Sequence, residues 1–237
     1  MLNEEYSPAI ILIDLDGTLV DTAPDIVAAA NCMLADLHAP ALPFDLVSSF
    51  IGKGVTNLVH CVLNVSELNT QISVTTAETI FFKHYRVLNG SLGKVYPGVL
   101  EGLGILKKHG FRLACVTNKP FLLAQDLLRI TGLANYFELL IGGDSLPQMK
   151  PAAEPLLHAC AAFEGSAKHA LMVGDSKVDC AAAKAAGMPV LIVKYGYPGV
   201  QALHELECDA LIQSFIEIPY QFTAIKSGMK VDIGATA

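Results

Sequence analysis

The sequence predicts an α/β protein: a doubly wound, mostly parallel sheet interrupted by an all-helical insert. Three observations carry this prediction. Short apolar, β-branched runs alternate with helical patterns over most of the chain, the arrangement that builds parallel strands joined by helical crossovers. The first run, 9–13, is continuously apolar rather than alternating, as a strand covered on both faces requires. The stretch 21–89 carries helical periodicity throughout and no convincing strand.

Taken in order, the strand at 9–13 leads into the insert, where 24–37, 55–63 and 76–88 place apolar residues at three- and four-residue spacings. After Tyr96-Pro97-Gly98 a helix carries Val99, Leu100, Leu103 and Leu106 on one face and stops at Gly110. Strands are then expected at 111–116, 139–141, 170–173, 190–193 and 210–212, with helices at 121–130, 154–162 and 178–186, the last closed by Gly187. From 222 no periodicity is visible. The domain organisation that follows is a discontinuous α/β core (1–20 and 90–221), a helical cap (21–89) and a C-terminal tail (222–237).

Composition supports a large core. The chain of 237 residues is 52% hydrophobic and only 16% charged, which argues against disorder. No unbroken apolar run exceeds five residues, against the roughly 20 that a membrane-spanning helix needs. A net charge of -7 without a basic stretch argues against nucleic-acid binding. The six cysteines include no Cys-x-x-Cys pair, and an acidic start without a secretory signal predicts reduced thiols in a cytoplasmic protein.

In open parallel sheets, ligands bind beyond the carboxyl ends of the strands. The residues found there are Asp14-Leu15-Asp16-Gly17-Thr18, Thr117-Asn118-Lys119, Gly142-Gly143-Asp144 with Lys150-Pro151 following, and Gly174-Asp175-Ser176 with Asp179. Singly, each has an ordinary explanation: a turn with a helix cap, an N-cap, a solvated lysine. Together they do not. Asp14, Asp16, Asp175 and Asp179 converging on one sheet edge repel unless a cation lies between them. An oxygen donor set of that kind suits Mg²⁺, and the seven histidines show no paired zinc spacing. An aspartate on such a metal can act as a nucleophile. Thr117, Asn118, Lys150 and the N–H groups of the loop after Asp14 can stabilise a phosphoryl group in transfer. Asp16, two residues along extended chain and so on the same side, can exchange the proton.

These four segments resemble the four motifs of the haloacid dehalogenase superfamily, from about residue 9 to 213. The resemblance implies a Rossmann-like core with a cap inserted after the first motif. It implies Asp14 as nucleophile, Asp16 as general acid and base, and Gly17, Thr117, Asn118 and Lys150 around phosphate. It also implies Mg²⁺ held by Asp14, the backbone carbonyl of Asp16 and Asp175, with Asp179 nearby. Within the superfamily, Phe50-Ile51-Gly52-Lys53-Gly54, Tyr96-Pro97-Gly98-Val99, Cys115-Val116-Thr117-Asn118-Lys119-Pro120 and Tyr195-Gly196-Tyr197 are similar to bacterial phosphoglycolate phosphatases.

The implied activity is therefore Mg²⁺-dependent hydrolysis of a small phosphate monoester, 2-phosphoglycolate, through an aspartyl phosphate. The alternatives are a phosphatase for a sugar phosphate, nucleotide or pyrophosphate, and a phosphomutase of the β-phosphoglucomutase kind. A dehalogenase leaves Asp16 and the metal carboxylates without a role, and a phosphate-sensing module needs no nucleophile and acid together. Three positions depart from the family pattern: Lys53 in the cap loop, Ala152-Ala153 after Lys150-Pro151, and Val178 before Asp179. Lys53 is expected to reach from the cap to the substrate carboxylate as a point charge. The sequence does not choose between a monomer and a homo-oligomer.

Overall fold

The computed structural model describes residues 10–197 and 203–227. The chain begins with β1 (Ile10–Ile13) and β2 (Val20–Asp21), then α1 (Ala23–Asp36), α2 (Phe44–Ser48), α3 (Val55–Val65) and α4 (Val74–Leu88). It continues through β3 (Lys94–Val95), α5 (Val99–Lys108), β4 (Arg112–Val116), α6 (Phe121–Ile130) and β5 (Leu139–Ile141). It ends with α7 (Glu154–Ala162), β6 (Ala170–Gly174), α8 (Lys177–Ala186), β7 (Val190–Val193), β8 (Ala210–Ile212) and α9 (Ile218–Lys226).

Six strands form one sheet in the order β5-β4-β1-β6-β7-β8, and every neighbouring pair is parallel. The apolar run of β1 explains its central place. Ile11 and Ile13 face one layer, with Val99, Leu103 and Leu106 of α5, Leu127 of α6 and Phe222 of α9. Ile10 and Leu12 face the other, with Leu156 and Cys160 of α7 and Ala182 and Ala183 of α8. Each such side chain withdrawn from water contributes roughly 1.5–3 kcal/mol, so a polar residue in β1 is costly on either face.

The insert forms its own core, in which Met33, Leu34, Val59, Val62, Phe81 and Tyr85 are buried together. Two strands connect it to the sheet domain. β2 leaves and β3 returns as an antiparallel pair, Val20 opposite Val95 and Asp21 opposite Lys94. A fully buried carboxylate, Asp25 of α1, fixes the return path by accepting from the N–H groups of Gly90 (2.9 Å), Leu92 (2.7 Å) and Gly93 (3.3 Å).

The structure adds the short helix α2, the β2–β3 pair and helix α9 to the sequence reading. It also extends the ordered chain past the expected tail boundary at 222. Helix α9 runs to Lys226, and Phe222 packs edge-on against Phe111 with ring centroids 5.9 Å apart. The rest of that tail, 228–237, and residues 1–9 lie outside the described residues. Among those described, no helix is long and apolar enough to cross a membrane.

Candidate active site

The polar groups of the site gather at the carboxyl edge of the sheet because the strands end there. The Asp14 N–H continues the ladder to the Val173 carbonyl (2.9 Å), and Thr117 N–H does the same to Ile141 (2.9 Å). These backbone bonds set where Asp14 and the Thr117-Asn118-Lys119 segment leave the sheet. Leu15 points into the core, so the alternation of an extended chain turns Asp14 and Asp16 outward together.

Asp14, Asp175 and Asp179 each offer a carboxylate oxygen, all lying within 4.8 Å of one another. Lys150 stands among them, its Nζ 3.0 Å from Asp14 Oδ1 and 2.7 Å from Asp179 Oδ1. Leu15 N–H also donates to Asp14 Oδ1 (2.7 Å). That leaves Asp14 Oδ2 without a hydrogen bond among the described residues, on the side chain that lines the pocket. Asp175 is held from both sides: Thr18 Oγ1 donates to Oδ1 (3.2 Å) and Tyr197 N–H to Oδ2 (2.6 Å). Tyr197 also bonds Asp21 and the Ala23 N–H through its hydroxyl, tying the outgoing cap linker to this carboxylate. Asp179 is the most committed of the three. Besides Lys150 it accepts from the N–H groups of Asp175 (3.3 Å) and Ser176 (3.2 Å) and from Ser176 Oγ (2.8 Å).

One ammonium does not balance three buried carboxylates. Burial pushes the Asp14 carboxyl up to about 7 against the pull of Lys150, and the charges of Asp179 and Asp16 add to the rise. Asp175 is driven well above the usual carboxylate range by burial, then by Asp179 and Asp14. Burial works against the Lys150 ammonium, but Asp14 and Asp179 outweigh it and hold the lysine above its ordinary value. Oxygen donors with excess negative charge fit a hard divalent cation. Asp16 is not part of this triad. Its carboxylate pairs with Lys119 Nζ at 3.1 Å.

The structure gives Gly17, Asn118 and Lys53 surroundings that the sequence does not suggest. The Gly17 N–H is already bonded to the Val20 carbonyl (2.9 Å), so it is not a free phosphate donor. Its φ of +82° and the 2.3 Å that would separate a Cβ from Asp175 Oδ2 give it another role, which is to let Asp175 approach the loop. Asn118 donates both amide hydrogens to carbonyls, Gly52 of the cap (2.9 Å) and Lys150 (2.8 Å), and its buried Oδ1 has no partner among the described residues. It joins cap to core. Thr117 is buried at the same edge, where its Oγ1 accepts from Lys119 N–H (3.2 Å). Lys53 is exposed and lines a neighbouring groove with His60 and Lys177, while Gly52 and Gly54 beside it line the pocket itself.

The cation inside the pocket is Lys119, which sequence reasoning leaves out of the site. Only 4% of it is exposed. Its ammonium pairs with Asp16, bonds the Tyr85 hydroxyl and sits 4.5 Å from the centre of the Tyr85 ring. The one signal in the sequence is position, directly after Thr117-Asn118 at a strand end. The cavity that Lys119, Asp14 and Asp16 share is small, about 40 Å³, and its cap side is apolar: Ile26, Ile51, Val55, Leu58 and Phe81.

Known proteins share this arrangement of sequence and fold. A family model described as haloacid dehalogenase-like hydrolase matches residues 11–193. The chain is 54% identical over 213 residues to a plasmid-encoded phosphoglycolate phosphatase of Cupriavidus necator, covering 90% of this chain and 92% of the relative. It is 44% identical over 210 residues to the phosphoglycolate phosphatase of Nitrosospira multiformis, covering 87% and 92%. A crystal structure described as a predicted phosphoglycolate phosphatase from Haemophilus somnus superposes with a TM-score of 0.86 at 31% identity, covering 91% and 98%.

Proposed function

The chain belongs to the haloacid dehalogenase-like hydrolase family, and from that premise we propose that it is a phosphomonoesterase that hydrolyses 2-phosphoglycolate to glycolate and phosphate. The observation that carries this reading is Asp14, a buried carboxylate with one oxygen fixed by Lys150, on a side chain that lines a small pocket, in a chain similar throughout to phosphoglycolate phosphatases.

In the first step Asp14 Oδ2 bonds to phosphorus, the ester P–O bond breaks, and Asp16 gives its proton to the departing glycolate oxygen. In the second, water adds to phosphorus as Asp16 takes its proton. The bond to Asp14 breaks and phosphate leaves. Lys150 holds the nucleophile in line and offsets charge on the phosphoryl oxygens, where fixed donors act without reorganising. Asn118 keeps the cap loop against Lys150, and the apolar cap lining excludes bulk water. Mg²⁺, which Asp14, Asp175 and the Asp16 carbonyl would hold with Asp179 behind them, would supply the positive charge that this cluster lacks. We also propose a cytoplasmic setting, supported by six unpaired cysteines.

A phosphomonoester panel with Mg²⁺ and a chelator control tests the reading. The expected result is a kcat/KM on 2-phosphoglycolate at least about tenfold above nucleoside monophosphates, pyrophosphate and hexose phosphates, lost with the chelator. Glucose 6-phosphate formed from glucose 1-phosphate would point to a mutase instead, and absence of turnover on every ester would leave a binding module.

The metal has a pH signature as well. Asp14 and Asp175 have folded pKa values above those of the unfolded chain, so the metal-free protein loses stability as pH rises from about 4 through about 7. A divalent cation requires the ionised carboxylates. Its stabilisation is therefore expected to raise the melting temperature by several degrees at about pH 8 and by little at about pH 5. Melting curves with Mg²⁺ or chelator check this, and an equal rise at both pH values would count against the carboxylates as ligands.

A further inference from the structure

We infer that Lys119 is the residue that recognises the substrate's carboxylate, with Tyr85 of the cap completing that site. The inference rests on the proposed hydrolysis of 2-phosphoglycolate and adds to it the group that separates this substrate from uncharged esters.

A molecule with phosphate at one end and carboxylate at the other needs a cation for each. Lys150 belongs to the phosphoryl end, where it touches the nucleophile Asp14. Lys119 is, among the described residues, the cation that lines the pocket of Asp14 and Asp16, whereas Lys150 stands behind Asp14 and lines the neighbouring groove. Its position follows the substrate's covalent order. Asp16 must meet the ester oxygen to protonate it, and in 2-phosphoglycolate the carboxylate carbon is two bonds from that oxygen. With single bonds of about 1.5 Å, the carboxylate oxygens fall about 3–4 Å from the ester oxygen. An ammonium 3.1 Å from Asp16 lies within that reach.

The surroundings narrow the choice of ligand further. Apart from Gly52 and Gly54, the remaining cap lining is aliphatic and aromatic and carries no polar side chain for the hydroxyls of a sugar. Lys119 is buried, and its partners in the pocket are one carboxylate, one phenol and a ring face. A second carboxylate arriving there meets a desolvated cation, where charge pairing is stronger than in water. Tyr85 lies on α4 of the cap and Lys119 on the core, so cap closure and assembly of the carboxylate site are one event. Lys53, in the neighbouring groove with Lys177, lacks this enclosure.

The test compares 2-phosphoglycolate with ethyl phosphate, which has a methyl group where the substrate has its carboxylate. Lys119→Met is expected to lower kcat/KM on both esters through its contact with Asp16, but by at least about 20-fold more on 2-phosphoglycolate than on ethyl phosphate, the extra loss falling mostly in KM. Lys119→Gln, which keeps a donor for Asp16 and Tyr85 without the charge, carries the same expectation if the Met variant fails to fold. Lys119→Arg should retain the preference. Equal losses on both esters would make Lys119 a partner of Asp16 alone and overturn the inference. So would Lys53→Ala, if it showed the selective loss instead. A wild-type enzyme without preference for 2-phosphoglycolate over ethyl phosphate would refute the proposed function itself, an outcome distinct from either.

Discussion

Asp14→Asn is expected to remove turnover of every phosphomonoester, by at least about 10⁴-fold, while the protein stays folded. The amide occupies the same volume and can still accept from the Leu15 N–H, whose bond to Asp14 Oδ1 is 2.7 Å, but it does not attack phosphorus. The structural consequence runs opposite to the chemical one. Burial and the neighbouring carboxylates push the Asp14 carboxyl up to about 7, so its ionised form is an unfavourable charge in the metal-free protein. Replacing it with a neutral group removes that charge, and Lys150 keeps Asp179 at 2.7 Å. The melting temperature of the metal-free variant at about pH 8 should therefore equal or exceed that of the wild type. Mg²⁺ should stabilise the variant less. Kinetics on the ester panel and paired melting curves give both readings. Turnover within about tenfold of wild type would place the nucleophile elsewhere.

The sheet was legible because its strands carry their burial in their composition. A run such as Ile10–Ile13 has no polar face to offer, and the helices between strands show their apolar stripes directly. The convergence of Asp14 and Asp175 follows from strand ends, since parallel topology brings those ends to one edge, and Lys150 and Asp179 join them from the loop after β5 and the first turn of α8. What sequence could not supply is which groups are already occupied. The Gly17 N–H is taken by Val20 and the Asn118 amide by Gly52 and Lys150, bonds that depend on tertiary approach. Lys119 and Tyr85 are 34 residues apart and meet only because the cap folds over the core. Lys53 has the charge expected of a carboxylate partner, yet its loop turns it away from the pocket that its neighbours line. Helix α9 escapes the sequence pattern for a different reason. Ile218, Phe222 and Ile225 keep helical spacing, and dividing the chain at 222 cuts that pattern through its middle.

Lys150→Met should produce the largest loss of stability among single changes at the site, and the loss should grow with pH. The side chain is 1% exposed and reaches two carboxylates at 3.0 and 2.7 Å. A methionine fills the space but leaves Asp14 and Asp179 facing each other without a cation. Removing one partner of a buried ion pair costs about 3–5 kcal/mol, and in a chain of this size each kcal/mol moves the melting temperature by about 2–4 °C. The pH dependence follows from the direction of the shifts. Lys150 is what holds the Asp14 pKa down against burial, so its loss lifts that pKa further above the unfolded value. A carboxyl whose folded pKa is raised contributes stability at low pH and loses it as pH climbs through that value. At about pH 5 the variant can keep Asp14 protonated at little cost, whereas at about pH 8 it cannot. The melting gap between wild type and variant in chelator is therefore expected to be near 10 °C at the higher pH, by the roughly 3 kcal/mol end of that range, and clearly smaller at the lower. Lys150→Arg should not restore activity, because a planar fork does not fit the space of a compact ammonium between two carboxylates. A gap that stays constant with pH would mean that Lys150 stabilises by packing alone, and its place beside the nucleophile would then need another explanation.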